Sequence, residues 1–222
     1  MENYKKNLKL LENNHVYSTE MEHDACGVGV IASTEGKKSR QIVEYGIEAL
    51  KAVWHRGAVD ADGKTGDGAG IHVEIPKDFF IEKIEVTGHD YDNAEICVGM
   101  IFLPRNDYAA QESCKTIVES ELTKNNFSIY GWRQVPVNPK VLGDKALQTM
   151  PEIIQVLFKS NDENLLDKKL ERKIYETRKR IENKAFQLSL NNFYVCSISS
   201  KSIIYKGLYL AEAISDFYLD LK

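Results

Sequence analysis

Along the chain, apolar and polar residues change spacing sharply enough to mark most elements. Residues 1–25 are polar, weakly periodic and built from Asn, Lys and Glu, and read as a leader or flexible arm. At Ala25-Cys26 the character changes. CGVGVIAS (26–33) is a short apolar run bearing glycines, which predicts a buried strand. Residues 39–54 take helical spacing, with Val43, Ile47, Leu50 and Trp54 on one face and Glu44, Glu48 and Lys51 on the other. His55 and Arg56 fall in the last turn and Gly57 just past it, the usual chemistry of a helix C-terminus. A glycine-rich loop, ADGKTGDGAG (61–70), leads into the strand IHVEI (71–75).

The run AEICVGMIFLP (94–104) is apolar at odd and even positions alike, so both faces of that strand should be buried. A helix follows over 107–124, with Asp107 as N-cap and a stripe of Ala110, Cys114, Ile117, Val118 and Leu122. FSIYGWRQVP (127–136) and EIIQVLFKS (152–160) read as strands. Residues 163–188 form a longer helix with Leu166, Leu170, Ile174, Ile181, Ala185 and Leu188 inward, and FYVCSIS (193–199) with SIIYKG (202–207) predicts a β-hairpin. Strands in groups covered by amphipathic helices, without regular βαβ alternation, point to an α+β layered sandwich. There is no internal repeat. The last run, AEAISDFYLDLK, ends without a cap, turn or polar tail, which fits a natural terminus or a cut within a domain.

Composition narrows the class without choosing a function. The 222 residues are 43% hydrophobic and 28% charged, enough apolar material for a sizeable core. A net charge of −4 gives no general attraction to nucleic acid or to an anionic membrane. The charge-rich stretch LERKIYETRKRIENK mixes signs at helical spacing and reads as a solvated helix face. No run resembles a signal peptide or a membrane span, and Glu12, Glu20, Glu22 and Asp24 argue against a transit peptide, so a cytoplasmic location is expected. Cysteines at 26, 97, 114 and 196 form no CxxC pair and no zinc-ligand spacing with a histidine; no metal site is expected.

Two places carry candidate chemistry. Cys26 stands where the polar leader meets the apolar run. With the leader removed, one residue would hold a thiol and a free α-amine, and an amine titrating near pH ~8 can exchange a proton with the thiol. Gly27 and Gly29 would leave room for a substrate. By spacing alone, however, Cys26 reads first as a buried, inert cysteine. The second place is His55-Arg56-Gly57 running into Asp60, Asp62, Lys64 and Asp67 among glycines, where exposed N–H groups and a planar guanidinium suit a carboxylate. A capped helix end and a surface loop is the plainer reading of the same residues. A P-loop is ruled out because Gly-x-x-x-x-Gly-Lys-Ser/Thr does not occur. A calcium loop fails because Ile71 stands where its twelfth-position Glu would be.

A resemblance adds what spacing does not. DACGVGVIA, WHRGA and VDADGKTGDGAG look like the opening of the glutamine-hydrolysing domain of glutamate synthases. The likeness continues through VGMIFLPRN, YGWRQVPVNPKVLG, ERKIYETRKRIE, FYVCSIS, IYKGL and FYLDL, and so covers nearly all of 22–222. The Cys-Gly-Val-Gly start and the His-Arg-Gly loop are shared by class II amidotransferases; DGKTGDGAG and YGWRQVP are more particular to glutamate synthases.

The resemblance implies the four-layer αββα sandwich of N-terminal-nucleophile hydrolases, here C-terminally incomplete. It divides the chain into a propeptide, 1–25, and the N-terminal part of the amidotransferase domain, 26–222. Cys26 would be the nucleophile, and Arg56, Gly27, Asp67 and Gly68 would line the pocket for L-glutamine. No cofactor is expected in this segment. FMN and an iron–sulfur cluster are implied for the full-length enzyme, with its synthase domain and a small electron-transfer subunit or ferredoxin as further partners. The chain has no Asn-Gly dipeptide for the family's oxyanion hole and no Arg-x-Ser-Thr for its substrate clamp. Losing one oxyanion donor can cost ~10²–10³ in rate, so 26–222 alone is expected to be inactive. Another class II amidotransferase, or a non-catalytic remnant of the scaffold, is the alternative.

Overall fold

The computed structural model describes residues 2–14, 27–53 and 58–222. Two antiparallel sheets and a set of helices share two apolar cores. The larger sheet has the order β3 (Phe127–Gln134), β4 (Glu152–Ser160), β2 (Cys97–Leu103), β5 (Tyr194–Ser199). Its centre is β2, which pairs with β4 on one side and β5 on the other. Because a strand alternates its side chains, β2 feeds both cores. Cys97, Ile101 and Leu103 meet α4 (Tyr108–Lys124) and α6 (Asp167–Gln187) on one face. Val98 and Met100 point into the second core on the other. The continuous apolar run at 94–104 has this two-faced burial as its cause.

Each covering helix follows its stripe. Asp107 caps α4 as expected, its carboxylate accepting from the Ala110 N–H at 2.9 Å. Cys114, Ile117, Val118 and Leu122 are buried beneath that helix. α6 buries Leu170, Ile174, Ile181 and Ala185. Leu166 and Leu188, expected inward, are exposed, because the helix begins after the one and ends before the other. The charged face of α6 is self-paired, Arg172 with Glu176, and Arg178 and Lys179 with Glu182, while Lys184 pairs with Glu121 of α4. A solvated face is what that stretch makes.

The second sheet is β1 (Ala69–Glu74) antiparallel to β6 (Ser202–Gly207). Ile203 and Tyr205 of β6 are buried in the core shared with β2 and β4. α2 (Arg40–Ala52) packs on β1, burying Ile47 with Val43 and Leu50 beside it. α3 (Lys77–Val86), which the spacing did not predict, adds Phe80 and Ile84. The short helix α5 (Asp144–Thr149) and α7 (Ile214–Phe217) close the same core through Ala146, Ile214 and Phe217. Stacked antiparallel sheets flanked by helices make this an α+β sandwich.

Three expectations are corrected. The 193–207 hairpin does not form. β5 pairs with β2 and β6 with β1, so the chain passes from one sheet to the other between them. Serine side chains take the bonds a hairpin ladder would use. The Ser197 hydroxyl accepts from the Ile204 N–H at 3.1 Å, and Ser199 Oγ accepts from Lys201 N–H at 2.9 Å. Glu171 then holds the turn, accepting from the Ser200 N–H at 2.7 Å and from the Ser199 and Ser200 hydroxyls. The second correction concerns 27–33, which has no regular secondary structure and leaves Val28 89% and Val30 86% exposed. Apolar content does not make a strand without a ladder partner for its backbone groups. The third is α1 (Glu2–Asn14), a helix within the segment read as a flexible arm; no described residue of it belongs to either core. No described helix is long and apolar enough to cross a membrane.

Candidate active site

Of the residues singled out from the sequence, Cys26 and Arg56 lie outside the described residues, as do Trp54, His55 and Gly57. Gly27 is exposed at the start of the irregular 27–33 stretch. Asp67 and Gly68 sit side by side at the end of the 58–68 loop, where it enters β1.

That loop has a defined build. The Val59–Gly66 bridge closes it into a tight excursion, with Asp60 N–H donating to the Thr65 carbonyl at 2.9 Å and Asp67 N–H to Ala58 at 3.3 Å. Asp62 organises the interior. Its carboxylate accepts from the N–H groups of Lys64 (2.9 Å) and Thr65 (2.7 Å) and from the Thr65 hydroxyl (2.5 Å). The Thr65 hydroxyl, then its N–H, hold the Asp62 carboxyl well below the usual carboxylate range. Asp60 is lowered in the same way, first by Lys145, whose ammonium bonds it at 2.6 Å. Both carboxylates are thus engaged within the protein.

The loop is also docked. Thr65 is buried, and its hydroxyl accepts from the Ala146 N–H of α5 at 3.4 Å. A Cβ at Gly143, just before α5, would overlap the Asp62 carboxylate and the Thr65 hydroxyl, so only glycine allows this approach. Gly68 has φ +121°, a region closed to side chains, and backs onto the Gly207 carbonyl across the β1–β6 ladder.

Gly207, Leu208 and Tyr209 carry the same junction into a cavity of about 770 Å³. Its walls are mainly apolar, among them Phe102, Ile153 and Phe217, and Arg105, Asn191 and Lys206 supply polar groups. Tyr209 is buried against Gly207, and its hydroxyl has no hydrogen-bond partner among the described residues. Burial pushes that phenol far above its ordinary range, so it stays protonated. Gly68 thus lies beside Gly207, which borders the cavity, while neither Asp67 nor Gly68 is itself among the lining residues. The sequence reading missed the residues that hold the loop there. Asp62 and Thr65 stand at a turn-forming spacing that is visible in the chain, but Gly143 and Lys145 are remote and carry no local signal.

The other cysteines are structural. Cys97 and Cys114 are buried in one core and Cys196 in the other. Burial raises all three thiols, Cys114 and Cys196 to about 11, so none is a nucleophile near neutral pH. Among the described residues no group of His, Cys, Asp and Glu converges at metal-binding geometry.

Comparison with known proteins gives a consistent answer. Residues 26–222 match the family described as glutamine amidotransferases class-II. The chain is 51% identical over 218 residues to the glutamate synthase [NADPH] large chain of Azospirillum brasilense, covering 98% of this chain and 14% of that one. It is 40% identical over 203 residues to ferredoxin-dependent glutamate synthase 1 of Arabidopsis thaliana, covering 90% and 12% respectively. With ferredoxin-dependent glutamate synthase 2 of Synechocystis it shares 38% over 202 residues, covering 90% and 13%. The chain thus spans about one seventh of the length of these relatives.

Proposed function

Because the chain belongs to the class II glutamine amidotransferases, we propose that it is the glutamine-hydrolysing part of a glutamate synthase, with Cys26 as nucleophile. The observation that carries this is the family match, which opens on Cys26 and runs through residue 222. The relatives above are glutamate synthases, which favours this reaction over that of another class II amidotransferase.

Residues 1–25 are then a propeptide, and 26–222 the N-terminal part of the domain. Cleavage before Cys26 would free its α-amine, which takes the thiol proton. The thiolate attacks the side-chain amide carbon of L-glutamine. As the tetrahedral adduct collapses, the C–N bond breaks, the amine returns the proton, and ammonia leaves a γ-glutamyl thioester. Water cleaves the thioester to glutamate and restores the thiol. Gly27 provides backbone beside the nucleophile. Arg56 serves as a pocket residue, and Asp67 and Gly68 close the pocket from the 58–68 loop. The contacts of that loop with Ala146 and Tyr209, both of which line the 770 Å³ cavity, support this assignment.

In the complete synthase, ammonia would pass to a synthase domain that aminates and reduces 2-oxoglutarate, with reducing equivalents from a nicotinamide cofactor or ferredoxin. The buried cysteines do not fit the iron–sulfur cluster of that step. Cys97, Cys114 and Cys196 are divided between two cores and make no ligand set for an iron–sulfur cluster. FMN and the cluster are proposed, as the resemblance implies, for the remaining length of the synthase. A cytoplasmic location accords with the acid-bearing leader.

Processing tests the assignment. The complete synthase, purified from a host that matures it, should begin at Cys26 by intact mass and N-terminal sequencing. Met1 retained on fully active enzyme would overturn the α-amine mechanism.

A further inference from the structure

The 58–68 loop, which carries Asp67 and Gly68, is held from outside itself by the α5 segment. Thr65 is the junction. Its hydroxyl donates to Asp62 at 2.5 Å and accepts from the Ala146 N–H at 3.4 Å, joining the loop interior to the first turn of α5. Gly143 permits that approach, because a side chain there would overlap both Asp62 and Thr65. Lys145, also on α5, bonds Asp60 at 2.6 Å as a second and more exposed strut. Ala146, Thr149 and Met150 of the same segment line the cavity. One short helix therefore carries part of the cavity wall and anchors the 58–68 loop.

We infer that Thr65, with Asp62, is a positioning residue for glutamine binding, fixing the 58–68 loop on α5 so that Asp67 and Gly68 meet the substrate in a pre-formed place. The inference rests on the assignment of those two residues to the glutamine pocket. Its chemistry is pre-organisation. A loop already ordered by charge-assisted hydrogen bonds does not lose that freedom again when ligand binds. Loosening the loop should weaken glutamine binding and leave the chemistry at the thiol intact, which appears as a rise in KM with little change in kcat.

The test is Thr65→Val in the complete synthase, which keeps the side chain's shape and removes both hydroxyl bonds, beside Thr65→Ser, which restores them. The valine variant should raise KM for glutamine about tenfold with kcat within about twofold, and the serine variant should stay within about twofold of the parent. Brief iodoacetamide treatment with peptide mapping supplies the folding control. Within 26–222 only Cys26 should be labelled, because Cys97, Cys114 and Cys196 are buried. An unchanged KM in Thr65→Val, or a serine variant as impaired as the valine one, would overturn the inference. Should Thr65→Val expose the buried thiols, the surface variant Lys145→Met decides instead. A KM rise of about two- to threefold supports the role, and no rise refutes it. If Cys26→Ala abolishes glutamine use while these variants have no effect, only the positioning inference falls. Glutamine use that survives Cys26→Ala removes the functional assignment itself.

Discussion

Cys26→Ala in the complete synthase should lower glutamine-dependent glutamate formation by about 10⁴-fold or more while synthesis from added ammonia continues. The size of the effect follows from covalent catalysis. Without the thiol there is no thioester, and no other cysteine of 26–222 is placed to substitute, since the described ones are buried with raised pKa values. The asymmetry follows from the proposed division of labour, in which only ammonia release would need the thiol. Initial rates with glutamine and with ammonium salt, on one preparation, measure both. Equal loss of the two activities would mean that Cys26 supports the fold rather than the hydrolysis.

The largest expected effect on stability lies elsewhere, at the Arg133–Asp220 pair. Two guanidinium N–H groups donate to the two carboxylate oxygens at 2.6 and 2.7 Å, and a further bond reaches Gln155 at 2.8 Å. The side chains are only 13% and 5% exposed, and the Arg133 guanidinium also lies over the Phe79 ring. This pair ties 214–222 to β3, at the edge of the larger sheet, aided by the Val137–Tyr218 bridge. Asp220→Ala leaves the arginine charge buried without a partner, which typically costs roughly 3–5 kcal/mol. Replacing both residues by leucine should recover most of the loss, because much of it is the penalty of a lone buried charge. Asp216→Ala breaks only an exposed pair with Lys222 and should change stability by less than about 1 kcal/mol. Urea unfolding of the four proteins, followed by tryptophan fluorescence, ranks them. A midpoint for Asp220→Ala equal to that of Asp216→Ala would show that the buried pair is not an anchor.

Much of the fold was legible because local pattern and tertiary role agree there. β2 is apolar on both faces because two cores meet it, and α4 announces itself by Asp107 and a regular stripe. Where the chain obeys distant partners, local pattern misleads. Residues 193–207 have the composition of a hairpin, yet β5 and β6 join different sheets because β2 and β1 are the better ladders. α3 has Phe80 and Ile84 one turn apart but exposes Val86, which blurs its period. At the candidate site, the glycines and carboxylates of 58–68 were readable as a built loop. Its support was not, since Gly143 and Lys145 meet it across some eighty positions of sequence. Cys26 and Arg56 were singled out by residue chemistry but took their roles from resemblance, since spacing alone treated the cysteine as an ordinary core residue and the loop as a surface loop.

The central claim, that Cys26 bearing a free α-amine is the nucleophile toward glutamine, is tested most directly by covalent trapping. The complete synthase would be incubated with the glutamine-like diazoketone 6-diazo-5-oxonorleucine, digested, and mapped by mass spectrometry, with excess glutamine as competitor. The expected result is a single adduct on a peptide whose first residue is Cys26, formed in step with loss of glutamine-dependent activity and prevented by glutamine. An adduct on Cys97, Cys114 or Cys196, or full inactivation with Cys26 unmodified, would contradict the account.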